Sequence, residues 1–254
     1  MGSYLIAGGY LGYYTNDSTE VVEFDKTNST PFYGKLPSRR ESAVGAMFGN
    51  VPILCGGWNS YDRISYDNCL SFQNSQWSQS HSMNMKRIYA AGIQINSTTF
   101  WILGGYDYAS GSTDSTEFII FGQNNGVSGP KLPYVLNLMC AVKLSETEIF
   151  IIGGRNQLNR ASPGARNEVW IYDLQNGFAR HQGPSLTEAR YHHSCSTMRD
   201  GEKKLIVTAG GYYSDKNENH HRLNSVEIYD PIDNVWHPGK TNPDTKVIFD
   251  LFSN

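Results

Sequence analysis

The segment LIVTAGG, Leu205 to Gly211, is the last of five copies of an apolar run that ends in two glycines. The copies lie at Tyr4 to Gly9, Pro52 to Gly57, Phe100 to Gly105, Phe150 to Gly154 and Leu205 to Gly211. Their first glycines follow one another at intervals of 48, 48, 49 and 57 residues. A period near fifty residues indicates a repeat architecture, which has to be explained before any single site.

Each copy continues in the same way after its glycines. A polar loop leads to a strand-like run ending in an aromatic residue, and a second large side chain follows. These runs are Val21 to Asp25, Cys69 to Phe72, Phe118 to Phe121, Val169 to Asp173 and Val226 to Asp230, and the second side chains are Phe32, Trp77, Val127, Phe178 and Trp236. A basic or polar residue and another apolar run follow in each of the first four units, at Arg40 with Ser42 to Phe48, Arg87 with Tyr89 to Ile95, Asn137 with Leu138 to Leu144, and Arg190 with His192 to Met198.

The pattern therefore predicts four short strands in each unit and shows no helical period. The turn at Asp200-Gly201 is an additional hairpin signal. A lone four-stranded unit has exposed edges and leaves its faces uncovered, so repetition around a ring is the natural solution. We predict an all-β propeller of about five four-stranded blades, and residues 1–254 are expected to form one domain.

This order of features resembles the kelch repeat over essentially the whole chain. The last two units fit best, with Val226 to Pro231 and Trp236, whereas in the third unit Val127 stands at the Trp position and Asn137 at the Arg position. The resemblance implies a kelch-type β-propeller, similar to extracellular invertebrate members. It also implies a binding function, since kelch-like domains serve as interaction modules.

The two ends of the chain leave two interpretations open. The chain begins in a Gly-Gly strand, so the first blade lacks an innermost strand, and Lys246 to Phe252 form a spare apolar run. Either this run closes a five-bladed ring by completing the first blade, or it begins a sixth blade of a longer propeller of which this chain is a fragment.

Composition excludes several classes of partner. The formal net charge of -3 and pI of about 6.2 provide no basic stripe for phosphates, so nucleic acid is not expected as a partner. The longest apolar runs are far shorter than the roughly 20 residues that span a bilayer, so we expect no membrane insertion. We expect a monomeric propeller without a cofactor.

The cysteines and sequons bear on the compartment. Cys55 ends a Gly-Gly strand and Cys69 begins the strand expected to pair with it, so a disulfide across this hairpin is the favoured hypothesis, with two reduced thiols as the alternative. Cys140 and Cys195 are expected to be buried packing residues. Candidate glycosylation sites are Asn16, Asn28 and Asn96. An extracellular location is favoured, with the cytoplasm as the alternative.

The loops after the Gly-Gly strands are the candidate binding surface, because loops on a rigid ring commonly carry function and Tyr and Arg are frequent at binding hot spots. They span Trp58 to Asp67, Tyr106 to Thr116, Arg155 to Asn167 and Tyr212 to Asn224. The partner-binding candidates are Tyr106, Tyr108, Arg155, Arg160, Arg166, Tyr212, Tyr213, His220 and Arg222.

Catalysis has no support in the sequence. His192 and His193 are neighbours on a predicted strand and point to opposite faces, and the loop residues His220 and His221 have no obvious carboxylate or thiolate partner, so no metal site is predicted. The expected function is a non-enzymatic module that binds a protein or glycan. The alternatives are the substrate-recognition part of a ubiquitin-ligase adaptor with a BTB and a kelch domain, and, less favoured, a propeller enzyme similar to galactose oxidase.

Overall fold

The computed structural model describes residues 3–23, 30–31, 34–156, 164–215 and 219–239. Within these residues every regular element is a β-strand, and no peptide bond is cis. A search of the same residues for a helix long and apolar enough to cross a membrane finds none. The described part of the chain is therefore all-β, as predicted.

The strands are short and follow one another closely. The first fifteen are β1 (Ser3–Ala7), β2 (Thr19–Glu23), β3 (Thr30–Pro31), β4 (Val44–Phe48), β5 (Val51–Cys55), β6 (Trp58–Asn59), β7 (Ile64–Ser65), β8 (Asn68–Gln73), β9 (Gln76–Ser82), β10 (Ala91–Asn96), β11 (Thr99–Leu103), β12 (Tyr106–Asp107), β13 (Gly111–Ser112), β14 (Thr116–Ile120) and β15 (Val127–Ser128). The remaining ten are β16 (Cys140–Lys143), β17 (Glu148–Ile152), β18 (Val169–Asp173), β19 (Ala179–Gln182), β20 (Ser194–Asp200), β21 (Lys203–Ala209), β22 (Tyr212–Ser214), β23 (His220–Arg222), β24 (Val226–Asp230) and β25 (Val235–Pro238).

Four antiparallel sheets have four strands each, in the order β4-β5-β8-β9, β10-β11-β14-β15, β16-β17-β18-β19 and β20-β21-β24-β25. A fifth sheet, β1-β2-β3, has three strands within the described residues. The predicted four-stranded repeat is thus confirmed. The run Lys246 to Phe252 lies outside the described residues, so both interpretations of the chain ends stay open.

The described residues fall into two compact units. The first contains residues 3–110 together with Ser115–Gly129, and the second contains Gly111–Asp114 together with residues 130–239. The first unit carries three of the larger sheets and the second carries the other two. That residues 1–254 form a single domain stays a prediction.

Apolar residues between consecutive sheets form the core of each unit. In the first unit, Val44 and Phe48 on β4 pack with Phe100 and Ile102 on β11 and with Ile119 on β14. In the second unit the corresponding cluster contains residues of the strands β16, β17 and β18 and of the strands β21, β24 and β25. Its members are Val142, Leu144, Phe150, Ile152, Val169, Ile171, Leu186, Ile206, Tyr229 and Trp236. Covering both faces of a strand explains why these runs are continuously apolar.

The first strand of each four-stranded sheet begins two residues later than predicted. Ser42, Tyr89, Leu138 and His192, which were expected to open these strands, have φ angles of 55, 56, 54 and 55°. A left-handed residue cannot continue an extended strand. The strands therefore begin at Val44, Ala91, Cys140 and Ser194.

The same left-handed residues correct the alignment of the third repeat. Ser42, Tyr89 and His192 each lie two positions after a buried arginine. Leu138 is the equivalent left-handed residue of the third repeat, so Leu136, two positions before it, is at the arginine position. Asn137 was assigned to that position, and the assignment was wrong by one residue. Leu136 is as buried as the arginines at the equivalent positions, so the arginine position is occupied by an apolar residue in the third repeat.

Both cysteine pairs form disulfides. Cys55 and Cys69 are directly opposite on β5 and β8 and are bonded, which confirms the hairpin hypothesis. Cys140 on β16 and Cys195 on β20 are also bonded, with their Cα atoms 6.0 Å apart, so the interpretation of these two residues as packing thiols was wrong. This second bond joins the innermost strands of consecutive sheets. Because the two cysteines are 55 residues apart, no local sequence pattern predicted that they would meet.

Candidate functional site

The Gly-Gly pairs fix where the candidate loops begin. We call residues 10–18, 58–67, 106–115, 155–167 and 212–224 the Gly-Gly loops. Both glycines of all five pairs have positive φ, a conformation that glycine adopts at little cost. A Cβ on Gly57 would lie 2.7 Å from the Glu41 carbonyl oxygen, and one on Gly211 would lie 2.6 Å from that of Tyr191. The glycines therefore allow the neighbouring segment to approach the start of each loop.

That close approach ties down the first residue of the loop. In the first unit, Trp58 forms a β-bridge with Glu41, with both N···O distances at 2.9 Å. In the second unit, Tyr212 bridges Tyr191 in the same way, again with both distances at 2.9 Å. The loops therefore leave a hydrogen-bonded framework at fixed positions.

Three buried arginines complete this framework. The backbone carbonyl of each arginine accepts a hydrogen bond from the N–H of the second glycine of one Gly-Gly pair. The side-chain Nη1 of the same arginine donates to the carbonyl of the first glycine of the next pair. Arg87 accepts from Gly57 at 2.8 Å and donates to Gly104 at 2.6 Å. Arg190 does the same between Gly154 and Gly210, at 2.8 and 3.0 Å. Arg40 likewise joins Gly9 to Gly56.

Two of these arginines pair with carboxylates that sequence reasoning missed. Arg87 Nη2 lies 2.8 Å from Glu117 Oε1, and Arg190 Nη2 lies 2.8 Å from Glu227 Oε1. Burial lowers the pKa of Arg87, and the charge of Glu117 opposes that shift. Both glutamates are the second residue of the third strand in their sheet. This shared position is the sequence signal that could have identified them as partners of the arginines.

Arg40 contacts an aromatic ring and an amide group, where the other two arginines contact a carboxylate. Its guanidinium lies over the Tyr66 ring at 4.3 Å and donates to Asn68 Oδ1 at 3.3 Å, in place of a carboxylate. Burial lowers the pKa of Arg40 to about 10. These arginines are structural, because they are buried and their Nη1 groups donate hydrogen bonds within the framework.

In the first unit, the structure brings Tyr106 and Tyr108 together with three residues that the sequence did not single out. The Tyr108 ring lies 4.3 Å from the Trp58 ring and 5.4 Å from the Tyr106 ring, the latter edge to face. Burial raises the pKa of Tyr89, and the Tyr108 hydroxyl and the Glu41 carboxylate raise it further. We call Glu41, Trp58, Tyr89, Tyr106 and Tyr108 the Glu41 cluster.

Exposed aromatic residues of two Gly-Gly loops lie close to Arg39, the residue two positions before Glu41. The Arg39 guanidinium is 5.9 Å from the Tyr14 ring and 5.9 Å from the Tyr61 ring. The loops are joined by Ser60, whose backbone N–H donates to Thr15 Oγ1 at 2.8 Å. Tyr61 is 77% exposed, so this surface offers large apolar area to solvent.

Two predicted binding arginines of the second unit are half-buried against rings of their own chain. Arg155 lies over Tyr191 at 5.4 Å, and Arg166 lies over Tyr134 at 5.0 Å with Glu168 at 3.6 Å. Arg160 lies outside the described residues. Arg155 and Arg166 are therefore less available to a partner than their loop positions suggested.

The loop expected at Tyr212 to Asn224 contains a two-stranded ribbon of β22 and β23. Tyr213 and Arg222 are exposed on it, whereas Tyr212 is half-buried and stacks on Tyr191 at 5.9 Å. His220 Nδ1 lies 2.6 Å from the Tyr191 hydroxyl. The ribbon therefore presents Tyr213 and Arg222 outward and holds Tyr212 inward.

The histidines need one correction. His221 Nε2 lies 3.0 Å from Asp215 Oδ2, so the expectation that it has no carboxylate partner was wrong. His193 is buried, and burial lowers its pKa to about 3, with the Arg190 charge adding to the shift. His192 is exposed. Over the residues that the structure describes, no group of three or more His, Cys, Asp or Glu side chains is placed to hold a metal ion.

The three sequons have different settings. Asn96 is exposed at the β10–β11 turn, and its Oδ1 accepts from the Thr98 N–H at 2.9 Å. Asn16 is half-buried, and its Oδ1 accepts from the Asp17 and Ser18 N–H groups at 2.8 and 3.1 Å. Asn28 lies outside the described residues. Glycosylation at these positions stays a prediction.

Comparisons with known proteins agree with this architecture. Residues 203–243 match the Kelch motif. Among the 324 matching chains of solved structures, the one titled "Structure of YjhT", a kelch-type propeller, superposes with a TM-score of 0.73 at 13% identity, covering 94% of this chain and 81% of that one. A comparison with curated proteins finds no match. At this identity the structural likeness establishes the fold alone. Together with the matched motif and the repeated sheets, it shows that the chain has the fold of a kelch-type β-propeller.

Proposed function

We propose that the chain is a non-enzymatic binding module that holds a protein or glycan partner on its Gly-Gly loops. The observation that carries the proposal is the exposure of large side chains on these anchored loops. Tyr108 is 57% exposed in the first unit, and Tyr213 is 38% exposed in the second, beside the exposed Arg222. Tyr and Arg contribute strongly at binding hot spots because they combine apolar area with hydrogen-bonding groups.

The rigid base under the loops supports the same proposal. Buried arginines and backbone bridges fix the first residue of the loops, so binding loses little conformational entropy there. Kelch repeats commonly mediate protein interactions, which agrees at a coarse level with an interaction module. Partner-binding roles are proposed for Tyr106, Tyr108, Tyr213, His220 and Arg222, while Arg155, Arg166 and Tyr212 are proposed to support the surface from below.

The two disulfides favour an oxidising compartment, because disulfides persist outside the reducing cytosol. We propose an extracellular location on this basis. The ubiquitin-ligase adaptor alternative requires a reducing compartment, so the cysteine pairs count against it.

The test compares partner capture by two triple variants. The loop variant carries Tyr108→Ala, Tyr213→Ala and Arg222→Ala, and the control carries Val127→Ala, Met198→Ala and Ile232→Ala, three exposed apolar residues outside the Gly-Gly loops. Biotinylated proteins are applied to cell-surface extracts and to a glycan array. We expect the wild type and the control to retain the same partners and the loop variant to lose them.

Retention of every partner by the loop variant would contradict the proposal. An activity measurement belongs to the same test, because the oxidase alternative predicts oxidation of galactose by O₂ after incubation with copper. Turnover in that assay, abolished by chelation, would overturn the non-enzymatic assignment.

A further inference from the structure

Glu41 is a half-buried carboxylate held at the base of a Gly-Gly loop. It follows the buried Arg40, and its backbone N–H and carbonyl both bond to Trp58 at 2.9 Å. These bonds, together with the close approach allowed by Gly57, fix the position from which the side chain starts. Burial raises the pKa of Glu41, so the environment disfavours its charge.

Two carboxylates on the third strands of their sheets have cationic partners. Glu117 and Glu227, both nearly fully buried, each lie 2.8 Å from a buried arginine. The Glu41 carboxylate makes no ion pair within the described residues. The nearby cation Arg39 lies instead against the rings of Tyr14 and Tyr61. A half-buried carboxylate without a cationic partner loses part of its hydration without compensation, and a bound cation offsets that loss.

The groups around Glu41 are aromatic. Its backbone is bonded to Trp58, and Tyr108 packs between the rings of Trp58 and Tyr106. Burial raises the pKa of Tyr108, and the charges of Tyr106 and Glu41 raise it further. Trp58 packs on Tyr108 with ring centres 4.3 Å apart. Ring faces attract cations by their quadrupole, and this attraction adds to that of the carboxylate. The same rings repel an anion and add no attraction for a neutral polar group.

We propose that the Glu41 cluster binds a lysine or arginine side chain of a partner polypeptide. This proposal rests on the proposed binding function and names the chemistry that one of its loop surfaces recognises. A polypeptide is the favoured source of the cation because the apolar rings of Tyr14, Tyr61 and Tyr108 are exposed beside the cluster. A polypeptide backbone and its neighbouring side chains can cover such an area, whereas a free ammonium ion cannot.

The experiment is an isothermal titration with four blocked amino acids. Nα-acetyl-lysine and Nα-acetyl-arginine N-methylamides are the cationic probes, and the norleucine and citrulline derivatives are their neutral counterparts of similar shape. We expect the cationic probes to bind about tenfold more tightly than the neutral ones. Glu41→Gln should remove this preference, while Glu202→Gln, which changes the same charge at an exposed turn, should keep it.

Aromatic variants separate the ring contribution from the charge. Tyr108→Ala should weaken the cationic probes several-fold, and Tyr108→Phe should retain their affinity, because only the ring face is required. Thermal unfolding of each variant verifies that the fold is intact, and the bonds of Glu41 to Trp58 are backbone bonds that Glu41→Gln leaves in place.

Equal affinity for cationic and neutral probes would overturn the proposal, and so would a cation preference that persists in Glu41→Gln. Binding of galactose or N-acetylglucosamine in preference to the lysine probe would overturn it in favour of a glycan. None of these results touches the capture test with the triple loop variant. The capture test of the binding function is therefore independent of the titration that tests this ligand.

Discussion

Arg87 and Glu117 form a buried ion pair in which Nη2 lies 2.8 Å from Oε1 and neither side chain is more than 2% exposed. Glu117 also accepts a hydrogen bond from the Asn84 N–H at 2.5 Å, and Arg87 donates to the Gly104 carbonyl. The pair therefore connects the third strand of one sheet with the start of a Gly-Gly loop.

Neutralising the acid leaves the arginine buried without its counter-charge. Glu117→Gln should lower the free energy of unfolding by about 3 kcal/mol, as is typical when one partner of a buried pair is removed. Urea unfolding followed by tryptophan fluorescence measures the change. Glu146→Gln is the control, because its pair with Lys143 is on the surface and its midpoint should be unchanged. Equal midpoints for the two variants would contradict a structural role for the buried pair.

The Cys140–Cys195 bond should stabilise the second unit more than the Cys55–Cys69 bond, which joins two neighbouring strands, stabilises the first. It closes 55 residues of chain, compared with 14 for Cys55–Cys69, and loop-closure entropy then gives about 4 kcal/mol against about 3 kcal/mol. Cys140→Ser with Cys195→Ser should therefore lower the melting temperature more than Cys55→Ser with Cys69→Ser. Thiol counting of the denatured wild type without reductant should find no free thiol, and four after reduction.

Acid should destabilise the fold through His193. Its folded pKa is lowered to about 3 by burial, whereas an unfolded histidine titrates near 6.5. Between these values the unfolded chain binds a proton that the folded chain does not, so stability is present above about pH 6.5 and is lost as the pH falls towards 3. The slope is up to about 1.4 kcal/mol per pH unit.

Urea unfolding at pH 7, 6, 5 and 4 measures this slope. His193→Asn should reduce it, whatever its effect at pH 7, while His181→Asn, at an exposed position on β19, should leave it unchanged. A slope in His193→Asn equal to that of the wild type would show that other groups cause the acid sensitivity.

Asn96 should be the better glycan acceptor of the two described sequons. It is exposed at a hairpin turn, whereas Asn16 is half-buried, although the side chains of both accept hydrogen bonds within their own turns. When the chain is expressed through a eukaryotic secretory pathway, Asn96→Gln should remove more glycan mass than Asn16→Gln, as measured by mass spectrometry before and after glycosidase digestion. The reverse order of losses would refute the exposure argument.

Much of the fold was predictable because it is encoded by local and repeated signals. The apolar runs with Gly-Gly ends gave the strands, and the bounds of Val169–Asp173 and Val226–Asp230 were predicted to the residue. Cys55 and Cys69 were predictable because their strands are joined by one short loop. The start of the inner strands was misplaced, since a left-handed Ser42 or His192 has no strong sequence signal.

The candidate site was predicted only in part. Tyr108, Tyr213 and Arg222 are exposed on their loops, as expected of binding residues, whereas Arg155 and Arg166 pack on rings of their own chain. Glu41 was not singled out, because nothing in a lone Arg-Glu dipeptide distinguishes an unpaired carboxylate from an ordinary surface glutamate.

The sequence by itself determined the repeat, the number and order of its strands and the places where the Gly-Gly loops begin, because each depends on residues within one repeat. The tertiary structure decided which side chains meet across repeats. Cys140 with Cys195, Arg87 with Glu117 and Glu41 with Tyr89 are 55, 30 and 48 residues apart, and only the tertiary arrangement of the sheets and their connections brings them together.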